Sequence, residues 1–114
     1  MSDLKKSSID IEVLTNENNL PEQINWSAKE GGIENAQAEA MILAFWDKSA
    51  ETAMRIDLWN KDMTVDDMKK FMHQTLLTLA DSFERSTGEK NMAEDLRDYC
   101  HHFGDKMGIL PPLS

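Results

Sequence analysis

The side chains best suited to chemistry are Cys100, His101 and His102 in consecutive positions, with His73 further upstream. Soft sulfur and imidazole nitrogen are the donors that Zn²⁺ prefers, and a thiol beside an imidazole is also how a cysteine nucleophile meets its base. The spacing argues against both. The three residues fall in a helical pattern, where neighbours point about 100° apart, whereas paired ligands on one helix normally stand at i and i+4. Cys100 lies on the apolar stripe of that helix, where a lone cysteine behaves as a small hydrophobe. A reactive thiolate also needs an electropositive setting. This chain has 12 basic and 21 acidic side chains, a formal net charge of −9. Cys100 is therefore expected in a core, and His101 and His102 on the surface or at an interface.

Other constellations have plainer explanations. Asp66 with Asp67, or Asp57 with Asp62, have the chemistry for acid-base work, but the first pair belongs to a helix start and the second to a strand end and its loop. Gly31-Gly32 lacks the phosphate-loop motif, and the segment after it lacks the lysine. The chain is read as a non-enzyme with no catalytic residue, cofactor or metal. More informative is the run MRIDLWNKDMTVDDM from Met54 to Met68. Trp59 shares a strand face with Arg55 and Asp57, just before Lys61, Asp62 and a helix. Aromatics so placed anchor interfaces, although covering a second helix is the commoner use. Trp59, Asp57, Lys61, Asp62, Met63 and His73 form the candidate partner-binding surface; Trp26 and Trp46 are read as core or as further anchors.

The elements that would position these groups follow from periodicity. From Thr64 to Ser86, the residues Val65, Met68, Met72, Thr75, Leu76, Leu79 and Phe83 recur at steps of three and four, the stripe of an amphipathic helix. Thr64 with Asp67 resembles a capping box, and Gly88 stops the run. Asp66 with Lys70 and Asp81 with Arg85 are i, i+4 pairs on its exposed face. A last helix, Asn91 to Met107, places Met92, Leu96, Tyr99, Cys100, Phe103 and Met107 on one stripe, ended by Gly108 and Pro111-Pro112. Upstream, Ile9, Ile11 and Val13 alternate with polar residues, as do Ile24 and Trp26, with a turn cluster from Asn16 to Glu22 between them; this predicts a hairpin. Glu30-Gly31-Gly32 breaks it. Ile33 or Glu34 to Lys48, rich in alanine and apolar nearly all round in its second half, is read as a buried helix. Ala53 to Asn60 is a third strand.

The expected fold is α+β, a small three-stranded antiparallel or mixed sheet with helices packed on one face, in the order β-β-α-β-α-α. Its 114 residues are expected to form a single domain, with residues 1–7 a disordered lead-in. The acidic balance repels phosphate backbones and anionic lipid heads, so neither nucleic acid nor a membrane surface is an expected partner. The N-terminus lacks the apolar run of a signal peptide, and no stretch approaches the roughly 20 apolar residues of a membrane span. A cytoplasmic protein with one free cysteine is expected. Open sheet edges suggest a homodimer.

Three stretches carry a resemblance to a known family. NLPEQINWSA, MRIDLWNKDMTVDDMKKFMHQTLLTLADSFERSTG and MAEDLRDYCHHFGDKM resemble the gliding motility protein GldC family, whose members read much like VPEKIEWSA, MRIDLWTKDMTVDEMKRFFHQT and DFCEYFAEK. The likeness extends over Ile9 to Met107, and its central block is specific. Met72 stands where the family has Phe, which keeps the stripe apolar. His101 and His102 replace an acid and an aromatic, which further weakens a metal site there. The resemblance implies a small cytoplasmic protein of surface gliding in bacteria without flagella, a system linked to an envelope-spanning export machine, and it implies no catalytic activity or cofactor. The expectation is a non-enzymatic accessory or adaptor protein of gliding motility, contacting protein partners of that apparatus. The alternative is a small-molecule or peptide binder with an apolar pocket between the sheet and the long helix, including Arg55 or His73.

Overall fold

The computed structural model describes residues 3–109, which fall into two compact units divided between Met63 and Thr64. The class is α+β as expected, with a different layout. Among the described residues five strands form two antiparallel sheets and two helices follow, in the order β-β-β-β-β-α-α, instead of one three-stranded sheet interrupted by a helix.

In the first unit β1 (Asp10–Thr15), β2 (Pro21–Ala28) and β3 (Ile33–Ala38) form a three-stranded sheet with β2 in the centre. The expected first hairpin is present. The side-chain oxygen of Asn16 accepts hydrogen bonds from the backbone N–H groups of Asn18 and Leu20, at 2.9 and 3.1 Å, and so shapes the turn. Val13 stands opposite Ile24, and Ile24 opposite Ala38; Ile11 stands opposite Trp26, and Trp26 opposite Ala36. Side chains directly opposite share a face, so these residues form one apolar surface. Its centre is Ile24, only 1% exposed. Asp10, Glu12, Gln23, Asn25 and Gln37 occupy the other face. Asp3 to Ile9 carry no regular structure, while Met1 and Ser2 lie outside the described residues.

The helix expected from Ile33 or Glu34 to Lys48 is not formed. Gly31-Gly32 does not break the sheet but continues it. A single 3₁₀ turn, Lys29–Gly31, closes on Gly32, whose φ of 77° suits a residue without Cβ and whose N–H donates to the Lys29 carbonyl at 2.9 Å. β3 then returns along β2, with small Ala36 and Ala38 against large Trp26 and Ile24. After a bend at Glu39, β4 (Ala40–Asp47) pairs with β5 (Thr52–Trp59) in a second, two-stranded sheet. The alanines that favour a helix are overridden by cross-strand pairing. The apolar run of β4 reads as a buried helix because both of its strand faces are apolar. Asp47 makes the return tight, its carboxylate accepting from the N–H groups of Ser49 and Ala50 at 3.0 and 3.3 Å. The strand expected at Ala53 to Asn60 is β5, but it belongs to this ribbon and not to the sheet of β1 and β2.

The second unit is a helical hairpin, α1 (Val65–Thr87) and α2 (Lys90–Lys106). The Thr64 hydroxyl accepts from the Asp67 N–H at 3.0 Å, the expected cap, and Gly88, at φ 75°, ends α1 with its N–H on the Glu84 carbonyl. Gly108 ends α2 through N–H bonds from Gly108 to Asp105 and from Ile109 to Gly104. Pro111 and Pro112 lie outside the described residues. The buried residues are small: Ala80 on α1, and Ala93, Cys100 and Gly104 on α2. The expected stripes hold in part, with Cys100 buried and Met72, Leu76, Phe83 and Phe103 half-buried. The helices approach where side chains are short, which leaves Leu79 56%, Met92 53% and Tyr99 57% exposed on the flank. The expected pair Asp81 with Arg85 is also replaced. Arg97 bridges the helices to Asp81 and Glu84 at 2.9 and 2.8 Å, and these carboxylates raise its pKa further. The Arg85 guanidinium contacts Ser82 and the Asp81 backbone instead.

Candidate functional site

The sulfur and imidazole groups do not converge. Cys100 is 2% exposed in the helical hairpin, and burial pushes its thiol pKa up, the reverse of what a nucleophile needs. His73 stacks on Phe103 within the hairpin, ring centroids 6.0 Å apart and nearly parallel, while His101 and His102 are exposed, with His102 5.9 Å from the Tyr99 ring. Among the described residues, no three His, Cys, Asp or Glu side chains are grouped as a metal ion would require.

The candidate surface centres on β5. Alternation places Arg55, Asp57 and Trp59 on one face, as the sequence suggests, and register adds Ala40, Ile42, Ala44 and Trp46 of β4 beside them. Trp59 and Trp46 are 52% and 68% exposed, so neither is core; Trp26 is half-buried on the apolar face of the other sheet. The opposite face of the ribbon is apolar up to the Asp47–Thr52 pair at its turn end, with Met41 opposite Leu58, Leu43 opposite Ile56 and Phe45 opposite Met54. Phe45, Met54 and Ile56 are each more than half exposed there. A two-stranded ribbon is marginal by itself in water, and one with large apolar groups exposed on both faces has the character of an interface awaiting a partner.

Asn60 fixes the exit from β5. It is 8% exposed, donates its N–H to the Glu39 carbonyl at 2.9 Å, and accepts on its side-chain oxygen from the Asp62 N–H at 3.1 Å. This turn places Lys61 outward, where its ammonium lies 3.6 Å from the Glu22 carboxylate, and leaves Asp62 exposed and Met63 half-buried. Asp57 and Trp59 thus share one strand face, with Lys61, Asp62 and Met63 in the following loop. His73 belongs to the second unit. Sequence reasoning missed Phe45, Trp46, Met54 and Ile56 as a joint surface. The signal was present in the short polar segment Asp47-Lys-Ser-Ala-Glu-Thr52 joining the apolar run of β4 to the alternating run of β5.

A second feature lies within the helical hairpin. Leu76, Leu79, Phe83, Leu96, Tyr99 and Cys100, with Ser82 and Ser86, line an open apolar groove of about 520 Å³. Unlike the expected ligand pocket it lies between the two helices and includes neither Arg55 nor His73. Among the described residues no helix is long and apolar enough to cross a membrane.

Comparison with known proteins agrees with the resemblance seen in the sequence. Residues 21–109 match the family model described as gliding motility-associated protein GldC-like, which spans β2 to the end of α2. No curated protein and no solved structure matches the chain.

Proposed function

Because the chain belongs to the GldC-like family of gliding motility-associated proteins, we propose that it is a non-enzymatic accessory or adaptor protein of the gliding apparatus. It acts on the cytoplasmic side through contacts with other proteins, and it self-associates as a homodimer. The observation that carries this reading is the ribbon of β4 and β5, whose large apolar side chains remain exposed on both faces. Trp59 is its anchor, a rigid aromatic with Asp57 beside it and Lys61, Asp62 and Met63 in the adjoining loop. A gliding strain whose sole copy carries Trp59→Ala accumulates the protein normally and loses gliding. Wild-type gliding of that strain overturns the reading.

A second reading rests on the groove of the helical hairpin, whose size and apolar lining suit a small apolar ligand or a peptide side chain. A fluorescent apolar dye then binds the wild type and fails to bind Leu79→Lys, whose helicity is unchanged. Equal binding by the two proteins removes it.

A further inference from the structure

The apparatus reading leaves open which edge of which sheet meets a partner. Among the described residues four strand edges have no strand beside them: β1 and β3 of the larger sheet, and the outer edges of β4 and β5. An exposed edge is a template for another strand. In a chain of net charge −9, an edge that joins a second copy must avoid setting acid against acid. β1 carries Asp10 and Glu12 without a basic residue, β3 carries Glu34, and β4 carries only Asp47 at its end. Among these strands β5, TAMRIDLW, alone holds both signs, Arg55 and Asp57, and both are exposed.

We propose that β5 pairs antiparallel with β5 of a second copy about a two-fold axis at Ile56, joining two ribbons into one four-stranded sheet. This rests on the homodimer in the reading above and specifies its edge and register. The register follows from symmetry. Backbone groups that point away from β4 belong to alternate residues, and facing side chains must share a sheet face, so the axis has to pass through a residue. An axis at Arg55 sets arginine against arginine, and one at Asp57 sets aspartate against aspartate. An axis at Ile56 sets Arg55 opposite the partner's Asp57 and Asp57 opposite the partner's Arg55, the reciprocal pattern of an isologous contact.

The other pairs in that register are complementary too. Small Ala53 meets bulky Trp59, and Met54 meets Leu58, twice each, with Ile56 on itself. Arg55, Asp57 and the Trp side chains lie on one face, and the apolar stretch of the other face, Met41 to Phe45 with Met54 to Leu58, becomes continuous across the joint. The four-stranded product also passes the three strands that independent stability requires. The outer edge of β4 offers no such code, because its apolar residues accept several registers equally.

A charge-reversal cycle tests this on the full chain. Sedimentation gives a dimer for the wild type. Arg55→Asp alone, or Asp57→Arg alone, introduces two like-charge contacts by symmetry and weakens the dimer roughly ten- to thirtyfold. The double variant Arg55→Asp/Asp57→Arg restores it. Added salt narrows the difference in dimer affinity between the wild type and either single variant. A second measurement does not depend on those variants. Ile56→Cys forms a disulfide-linked dimer on mild oxidation, while Thr52→Cys, whose two copies stand about 26 Å apart in this register, does not. A wild-type monomer, single variants that dimerise like the wild type, a double variant that stays monomeric, or equal crosslinking of both cysteines overturns the pairing. The adaptor reading is decided separately, by the gliding of the Trp59→Ala strain.

Discussion

Replacing Ile24 by alanine tests whether the first unit is held by the single apolar face of its three-stranded sheet. Ile24 sits on the central strand between Val13 and Ala38 and is 1% exposed. The substitution removes three carbons, and about 0.8 kcal/mol per buried carbon gives roughly 2.4 kcal/mol. The residual cavity raises this to about 3 kcal/mol. Ile11, on the edge strand and the same face opposite Trp26, is 37% exposed. Scaling by burial, Ile11→Ala costs about 1.5 kcal/mol. Urea unfolding followed by tryptophan emission measures both, since all three tryptophans lie in this unit and Trp26 lies on this face. The expected result is a lower midpoint for both variants at unchanged slope, with the Ile24 shift about twice the Ile11 shift. Equal shifts, or a larger shift for Ile11, would refute the assignment of the core.

Further outcomes follow from individual contacts. Asn60→Ala removes the acceptor of the Asp62 N–H in a nearly buried turn and lowers stability by about 1 to 2 kcal/mol by thermal or urea unfolding. Ala80→Leu forces bulk into the fully buried contact of the helical hairpin and costs about 2 kcal/mol, whereas Leu79→Ala, one position along on the exposed flank, costs under about 1 kcal/mol. Cys100 binds its proton more tightly folded than unfolded, so the stability it contributes is complete below the ordinary thiol value of 9.0 and is lost as pH rises above it. Unfolding curves of wild type and Cys100→Ala therefore diverge less as pH rises past that value. Alkylation of Cys100 stays slow in the folded protein at neutral pH and becomes fast in urea.

The parts of the fold that could be read from sequence are those in which one period dominates. Thr64 and Gly88 mark the ends of α1 because capping chemistry is local, and the alternation of Ile9 to Val13 and of Ile24 to Trp26 marks a hairpin because one face is polar. Residues 33–48 misled for the opposite reason. Alanines at 36, 38, 40 and 44 carry no strand preference, and β4 is apolar on both faces, so neither period stands out. Only the pairing of β4 with β5 decides the matter, and pairing is a non-local property. The helix contact was misplaced similarly: amphipathic counting selects the largest side chains, such as Leu79 and Tyr99, while close packing selects Ala80, Ala93 and Gly104. Of the surface, the alternation placing Trp59 with Asp57 was legible in one strand. Its extension to Trp46, Phe45 and Met54 required knowing that the neighbouring segment is a strand.

The central claim is that the ribbon of β4 and β5 is the face this protein presents to other proteins. Photo-crosslinking in gliding cells tests it most directly, with a photoreactive amino acid placed at position 59 on that face, or at position 12 on the polar face of the larger sheet. Protein adducts form from position 59 and almost none from position 12. Adducts from position 12 as abundant as those from 59, or none from 59, would contradict it.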